Sequence, residues 1–149
     1  MPTVKELMTT DLISVDPDDS VETAISLMLK HGVSGLPVVD RSGRLRGVLS
    51  EFDLLDLVSD PQTTRDKIAD YMSSELATVE EDDDVTVAAE HFRTQSIRRL
   101  PVVRQGQVVG VLSRRDLLRH ILQARGQIAP VVPRLLTPLN TDVRMPTKV

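Results

Sequence analysis

The chain repeats itself, and that repeat constrains the fold more than any other feature. Leu36-Pro37-Val38-Val39 is followed by Gly43 and then by Gly47-Val48-Leu49-Ser50-Glu51-Phe52-Asp53-Leu54-Leu55. Leu100-Pro101-Val102-Val103 is followed by Gly106 and then by Gly110-Val111-Leu112-Ser113-Arg114-Arg115-Asp116-Leu117-Leu118. Pro37 and Pro101 stand 64 apart, whereas Ser50 and Ser113, like Asp53 and Asp116, stand 63 apart, so the second copy has lost one residue in its turn. A chain with this internal period is read as two copies of one unit before anything else is attempted.

Within each copy the pattern reads as an apolar strand, a Gly turn, a second β-branched strand and a helix opening at Ser50 or Ser113. Valine favours strands, and Gln105-Gly106 separates the second pair as a tight turn. A serine at a helix N-cap accepts from the backbone N–H groups of the next turn, and an aspartate three residues later suits the positive end of the helix. Ahead of each strand pair lies an amphipathic helix. The first has Val21, Ala24, Ile25, Met28 and Leu29 on one stripe, Ser20 as its cap and Gly32 as its stop. The second has Val85, Ala88, Ala89 and Phe92, preceded by the acidic turn Glu80 to Asp84. Short extended pieces at Leu12 to Val15 and around Val79, with lead-ins at Val4 to Met8 and from Ile68, complete each unit as β-α-β-β-α. The run Ser59 to Thr64 reads as a polar linker.

Each unit, at roughly 55 to 60 residues, is small for an independent core. The two are therefore expected to pack together as one α+β, pseudo-two-fold body. The boundaries expected are 1–60 for the first repeat, 61–123 for the second, and 124–149 for a tail with four prolines. That tail is expected to be an arm, either mobile or laid on a neighbouring subunit.

Composition narrows the function. Aromatics are 2% of the chain, so the core must be aliphatic and the base-stacking platforms of single-strand binders are missing. A net charge of -4 gives no bulk field for nucleic acid or anionic membrane. With no cysteine there is neither a disulfide nor a thiolate metal site. No apolar run reaches a membrane span and no leader pattern opens the chain, so a cytoplasmic protein is expected. His31, His91 and His120 do not recur at matching positions, and no nucleophile triad, Walker loop or dinucleotide fingerprint is present.

The two units resemble a tandem pair of CBS domains, a Bateman module. The resemblance is carried by Val33-Ser34-Gly35-Leu36-Pro37-Val38-Val39 and Ile97-Arg98-Arg99-Leu100-Pro101-Val102-Val103. It is carried also by the two Gly-Val-Leu-Ser-x-x-Asp segments, and by Met-Thr and Met-Ser at Met8 and Met72. It covers about residues 2 to 123. It implies a regulatory rather than catalytic protein, with no enzyme domain attached, that binds an adenine nucleotide between the repeats. AMP is the expected ligand, ADP or ATP the next, with no metal required. It also implies a homodimer acting on an unidentified regulated protein.

The resemblance further implies that Asp53 and Asp116 accept hydrogen bonds from a ribose diol, while Ser50 and Ser113, with the free N–H groups of their helices, face phosphate. Pro37 and Pro101 sit in an aliphatic wall suited to adenine. Arg98 and Arg99 replace Ser34 and Gly35 of the first copy, and Arg114 and Arg115 replace Glu51 and Phe52. Four such forks suit phosphate oxygens. A cleft that draws on both copies would combine Asp53 with Arg98 or Arg99, and Asp116 with Arg114 or Arg115, Ser34 and the Ile13 backbone. The alternatives are first-turn carboxylates that only stabilise their helices, solvated arginines, and a ligand-independent interaction module.

Overall fold

The computed structural model describes residues 1–126. The fold is α+β and contains two copies of one motif. The first copy runs through helix α1 (Val4–Leu7), helix α2 (Val21–His31) and the hairpin β1 (Gly35–Val39) and β2 (Leu45–Ser50). The second runs through strand β3 (Val79–Glu80), helix α3 (Val85–Thr94), the hairpin β4 (Arg99–Arg104) and β5 (Gln107–Ser113), and helix α4 (Arg114–Ala124). The arm expected from residue 124 begins inside the last turn of α4, and residues 127–149 lie outside the described part of the chain.

The local signals produce the local structure. Ser20 caps α2 by accepting from the Thr23 N–H at 3.2 Å, and Gly32 ends it in the left-handed region at φ 64°. Asp84 caps α3 by accepting from the Thr86 N–H at 2.9 Å. Gln105 and Gly106 turn the second hairpin at positive φ, 51° and 80°. Both hairpins are antiparallel, pairing Pro37 with Val48 and Pro101 with Val111.

Two expectations are corrected. The extended piece Leu12 to Val15 is not a full strand: Val15 alone bridges Val38 in parallel, the counterpart of the two-residue β3 beside β4. The helix expected from Ser50 is a 3-10 helix over Phe52–Ser59, and the polar run after it coils into a second, Pro61–Arg65. Pro61 drives Asp60 out of the α region, to φ -147° and ψ 79°, so the segment is stopped after eight residues where α4 runs on for eleven.

The core consists of two aliphatic clusters, and each borrows from the other repeat's lead-in. Val15, Val21, Ala24, Leu36, Val38 and Leu49 enclose Ile68, which is fully buried although it belongs to the start of the second copy. Val79, Ala88, Leu100, Val102 and Leu112 enclose Val4, equally buried, from the start of the first. The backbone follows the same exchange. Thr9 exchanges two hydrogen bonds with Val111, at 2.9 and 3.0 Å, and Ser73 exchanges two with Val48, both 2.9 Å. The two hairpin turns meet at Arg44 and Gln107. These matched crossings are the pseudo-two-fold relation between the copies.

Candidate functional site

The cleft between the repeats forms where this symmetry leaves the strand ends open. Val48 and Val111 spend their backbone groups on Ser73 and Thr9, not on the prolines opposite them. Pro37 and Pro101 therefore need no N–H toward their hairpin partners. On the other edge Pro37 takes part through its carbonyl alone, which accepts from the Val15 N–H at 3.1 Å, so a missing N–H costs nothing there. A proline is accommodated at such a position, where neither neighbour calls on its N–H.

The result is a cleft of about 680 Å³ lined from both copies. It brings together Ile13, Ser34, Pro37, Ser50 and Asp53 with Arg98, Arg99, Pro101, Ser113, Arg115 and Asp116. Arg114 is not among them. It lies on a neighbouring groove of about 870 Å³ with Leu29, Leu55 and Val58, because the residue after the N-cap points away from the side that Ser113 and Asp116 share. The cleft also takes in residues to which the sequence assigned no ligand role: Val33 and Ile97, which open the two repeated segments, Leu76 and Ala77, Asp11 and Glu75. The 64-residue offset would have found several of them, since Ile97 is the counterpart of Val33 and Ala77 that of Ile13.

Each Ser/Asp pair closes on itself. The Ser50 N–H and hydroxyl both donate to Asp53 Oδ2, at 2.9 and 3.0 Å, and the Asp53 N–H donates to Ser50 Oγ at 3.4 Å. The Ser113 N–H donates to Asp116 Oδ2 at 2.8 Å, and the Asp116 N–H donates to Ser113 Oγ at 3.2 Å. Both aspartates thus serve their helices as capping-box acceptors. Their surroundings differ. Asp53 is half-buried, whereas Asp116 is the one buried charged residue among those described. Arg119 Nη1 donates to Asp116 Oδ1 at 3.0 Å.

The arginines divide as well. Arg99 reaches across the cleft and donates from Nη1 to Ser34 Oγ at 3.0 Å, tying the two copies together. Burial, then the charge of Arg98 beside it, lower its pKa, while Glu51 and Asp116 act in the opposite sense. Among the described residues Arg98, Arg114 and Arg115 make no ion pair and donate no side-chain hydrogen bond. Chemically, the cleft offers hydroxyl and carboxylate acceptors, apolar walls and unpaired guanidinium groups around one cavity. No helix of the described residues is long and apolar enough to cross a membrane.

Comparison with known proteins agrees with this architecture. The family model of the CBS domain matches twice, over residues 4–60 and 68–123. The CBS domain-containing protein YhcV of Bacillus subtilis is 33% identical over 118 residues, which are 78% of this chain and 84% of that protein. Inosine-5′-monophosphate dehydrogenase of Methanocaldococcus jannaschii is 31% identical over 116 residues, but the match spans only 23% of that enzyme. Among solved structures, CBSX2 in complex with AMP is 33% identical with a TM-score of 0.76, covering 84% of this chain and 99% of that one. The CBS domain pair of protein MJ0100, in complex with 5′-methylthioadenosine and S-adenosyl-L-methionine, is 25% identical with a TM-score of 0.73, covering 83% and 98%. With two matched copies, an exchanged core and a shared cleft, the chain belongs to the CBS domain family, as a tandem pair.

Proposed function

We propose that this CBS pair is a regulatory module that binds an adenine nucleotide, AMP foremost and then ADP or ATP. The ligand lies between repeats 1–60 and 61–123, and its occupancy is passed to a partner protein. The observation that carries the reading is the content of the cleft of about 680 Å³ between the repeats. Two Ser/Asp pairs, the two prolines of the hairpins, and Arg98 and Arg115, which make no ion pair among the described residues, all line it. Ribose hydroxyls are donors that suit the carboxylate, the purine suits the aliphatic wall, and phosphate suits the guanidinium forks. The AMP complex of the similar CBSX2 supports the same choice.

Self-association is part of the proposal. Leu29, Phe52 and Val58 are about four-fifths exposed, on α2 and the 3-10 helix after β2, and Leu118, Ile121 and Leu122 are more than half exposed on α4. A homodimer through these helices would cover them and let a change in the cleft alter the dimer geometry. The same faces favour the second reading, an assembly module without a small-molecule role.

Isothermal titration with AMP, ADP, ATP and S-adenosylmethionine decides between them. Heat of binding with AMP at micromolar to low millimolar concentration is expected. Its absence for every nucleotide, with the dimer intact, would leave the assembly module.

A further inference from the structure

The helices that follow the two hairpins carry matching apolar rows and opposite charge. In the 3-10 helix after β2, Phe52, Leu55 and Val58 stand three apart, so their side chains line up in one row. At the equivalent positions of α4, Leu118 matches Leu55 and Ile121 matches Val58. All five are more than half exposed. Around the first row the exposed charges are Glu51, Asp56 and Asp60, and no basic residue lies between Arg46 and Arg65. Around the second they are Arg114, Arg115, Arg119 and Arg125. The one acid of α4, Asp116, is buried and offsets only Arg119, which it meets at 3.0 Å. Glu51 thus corresponds to Arg114, and Asp56 to Arg119.

We infer that two copies of the chain associate head to tail, with the Phe52–Ser59 helix of each packed against α4 of the other. The inference rests on the self-association reading above and adds its orientation. A body with internal pseudo-two-fold symmetry can form two closed dimers through these faces: each repeat on its own kind, or each repeat on the other. The apolar rows recur in both repeats, so their burial does little to separate the two arrangements. Charge separates them. Like on like would set acidic row against acidic row and arginines against arginines, whereas head to tail sets the acidic row beside the basic one at both contacts. Juxtaposed like charges suppress the wrong pairing, and matched ones fix the register.

The chain has no cysteine, so one introduced thiol per chain reports the orientation. Leu55→Cys and Leu118→Cys both replace exposed side chains and are expected to fold, which a circular-dichroism melt checks. A short bismaleimide is expected to join L55C to L118C when the two are mixed, and to leave each variant uncross-linked by itself. Cross-linking of either variant with itself in place of the mixed product overturns the orientation and leaves the dimer standing. So does a dimer in sedimentation that no sample cross-links. A monomer in sedimentation removes the self-association reading, and the orientation with it. Asp56→Arg gives an independent readout. It should raise the dimer dissociation constant at least about tenfold, although it brings the net charge of -4 closer to zero. An unchanged or lower constant overturns the proposal.

Discussion

Asp53 and Asp116 occupy one register position in two copies of a motif, and their immediate neighbours make them different groups. Each is a helix cap, so its replacement costs stability as well as any ligand contact. Asp53 has a carboxylate oxygen that receives no donor among the described residues, and the loss of one charge-assisted bond to a ribose amounts to about 1.5–3 kcal/mol, or roughly 10- to 100-fold in affinity. Asp53→Ala should therefore weaken AMP binding by about that factor in calorimetry; unchanged affinity would remove the ribose assignment. Asp84 shows a cap without a role in the cleft. The N–H of Thr86, then its hydroxyl, hold the Asp84 carboxyl below its ordinary 3.8. A carboxyl whose folded pKa is depressed stabilises the fold above its unfolded pKa and loses that contribution as pH falls through the folded value. The melting temperature of Asp84→Ala should thus lie below that of the native chain at neutral pH, and the gap should shrink as the pH falls below 3.8.

At the scale of elements, the decisive contact is the docking of each lead-in onto the far hairpin. Gly47 lies under Met72 and Ser73: a Cβ there would meet the Ser73 carbonyl oxygen at 2.7 Å and Met72 Sδ at 2.8 Å. Gly110 is its counterpart, with Met8 Sδ at 2.5 Å and the Thr9 carbonyl oxygen at 3.1 Å. Gly47→Ala must push a hydrogen-bonded backbone segment away, and overpacking of this kind costs about 1–3 kcal/mol. Urea denaturation should show that loss, and amide exchange at Val48 and Ser73 should accelerate. A stability within about 0.5 kcal/mol of the native chain would show that the segment yields freely. The β-α-β-β-α pattern and its caps were legible because they rest on periodicity and on residues adjacent in sequence. The 3-10 form of Phe52–Ser59 was not, because apolar spacing over eight residues fits either helix and only the block at Asp60-Pro61 separates them.

For the whole molecule, the exchange of Val4 and Ile68 makes two small repeats into one cooperative body. Neither cluster is complete without a residue from beyond the linker. Ile68→Ala opens a cavity in the first repeat from a position at the start of the second, at a cost of about 2–5 kcal/mol. Both halves should melt together in a single lowered transition by calorimetry and amide exchange; separate transitions would show that the repeats are independent. The exposed apolar positions on α2, the 3-10 helix and α4 set a second expectation at this scale. Leu29→Asp combined with Val58→Asp should convert a dimer to a monomer in sedimentation while leaving the melt of each chain nearly unchanged, because both side chains are about 80% exposed.

The duplication and the strand–turn–strand–helix order could be read from the chain itself, as could the nearness of Ser50 to Asp53 and of Ser113 to Asp116, because a repeated motif places equivalent residues in equivalent local structure. Three matters waited for the tertiary structure: the crossing of the lead-ins, the turning of Arg114 onto the neighbouring groove, and the pairing of Arg119 with Asp116 but of nothing with Asp53 Oδ1. Local pattern sets which element forms, since it acts through near neighbours. Which side chains share a cleft, and which carboxylate oxygen stays open, depends on contacts between distant segments and on the direction each side chain takes when they close.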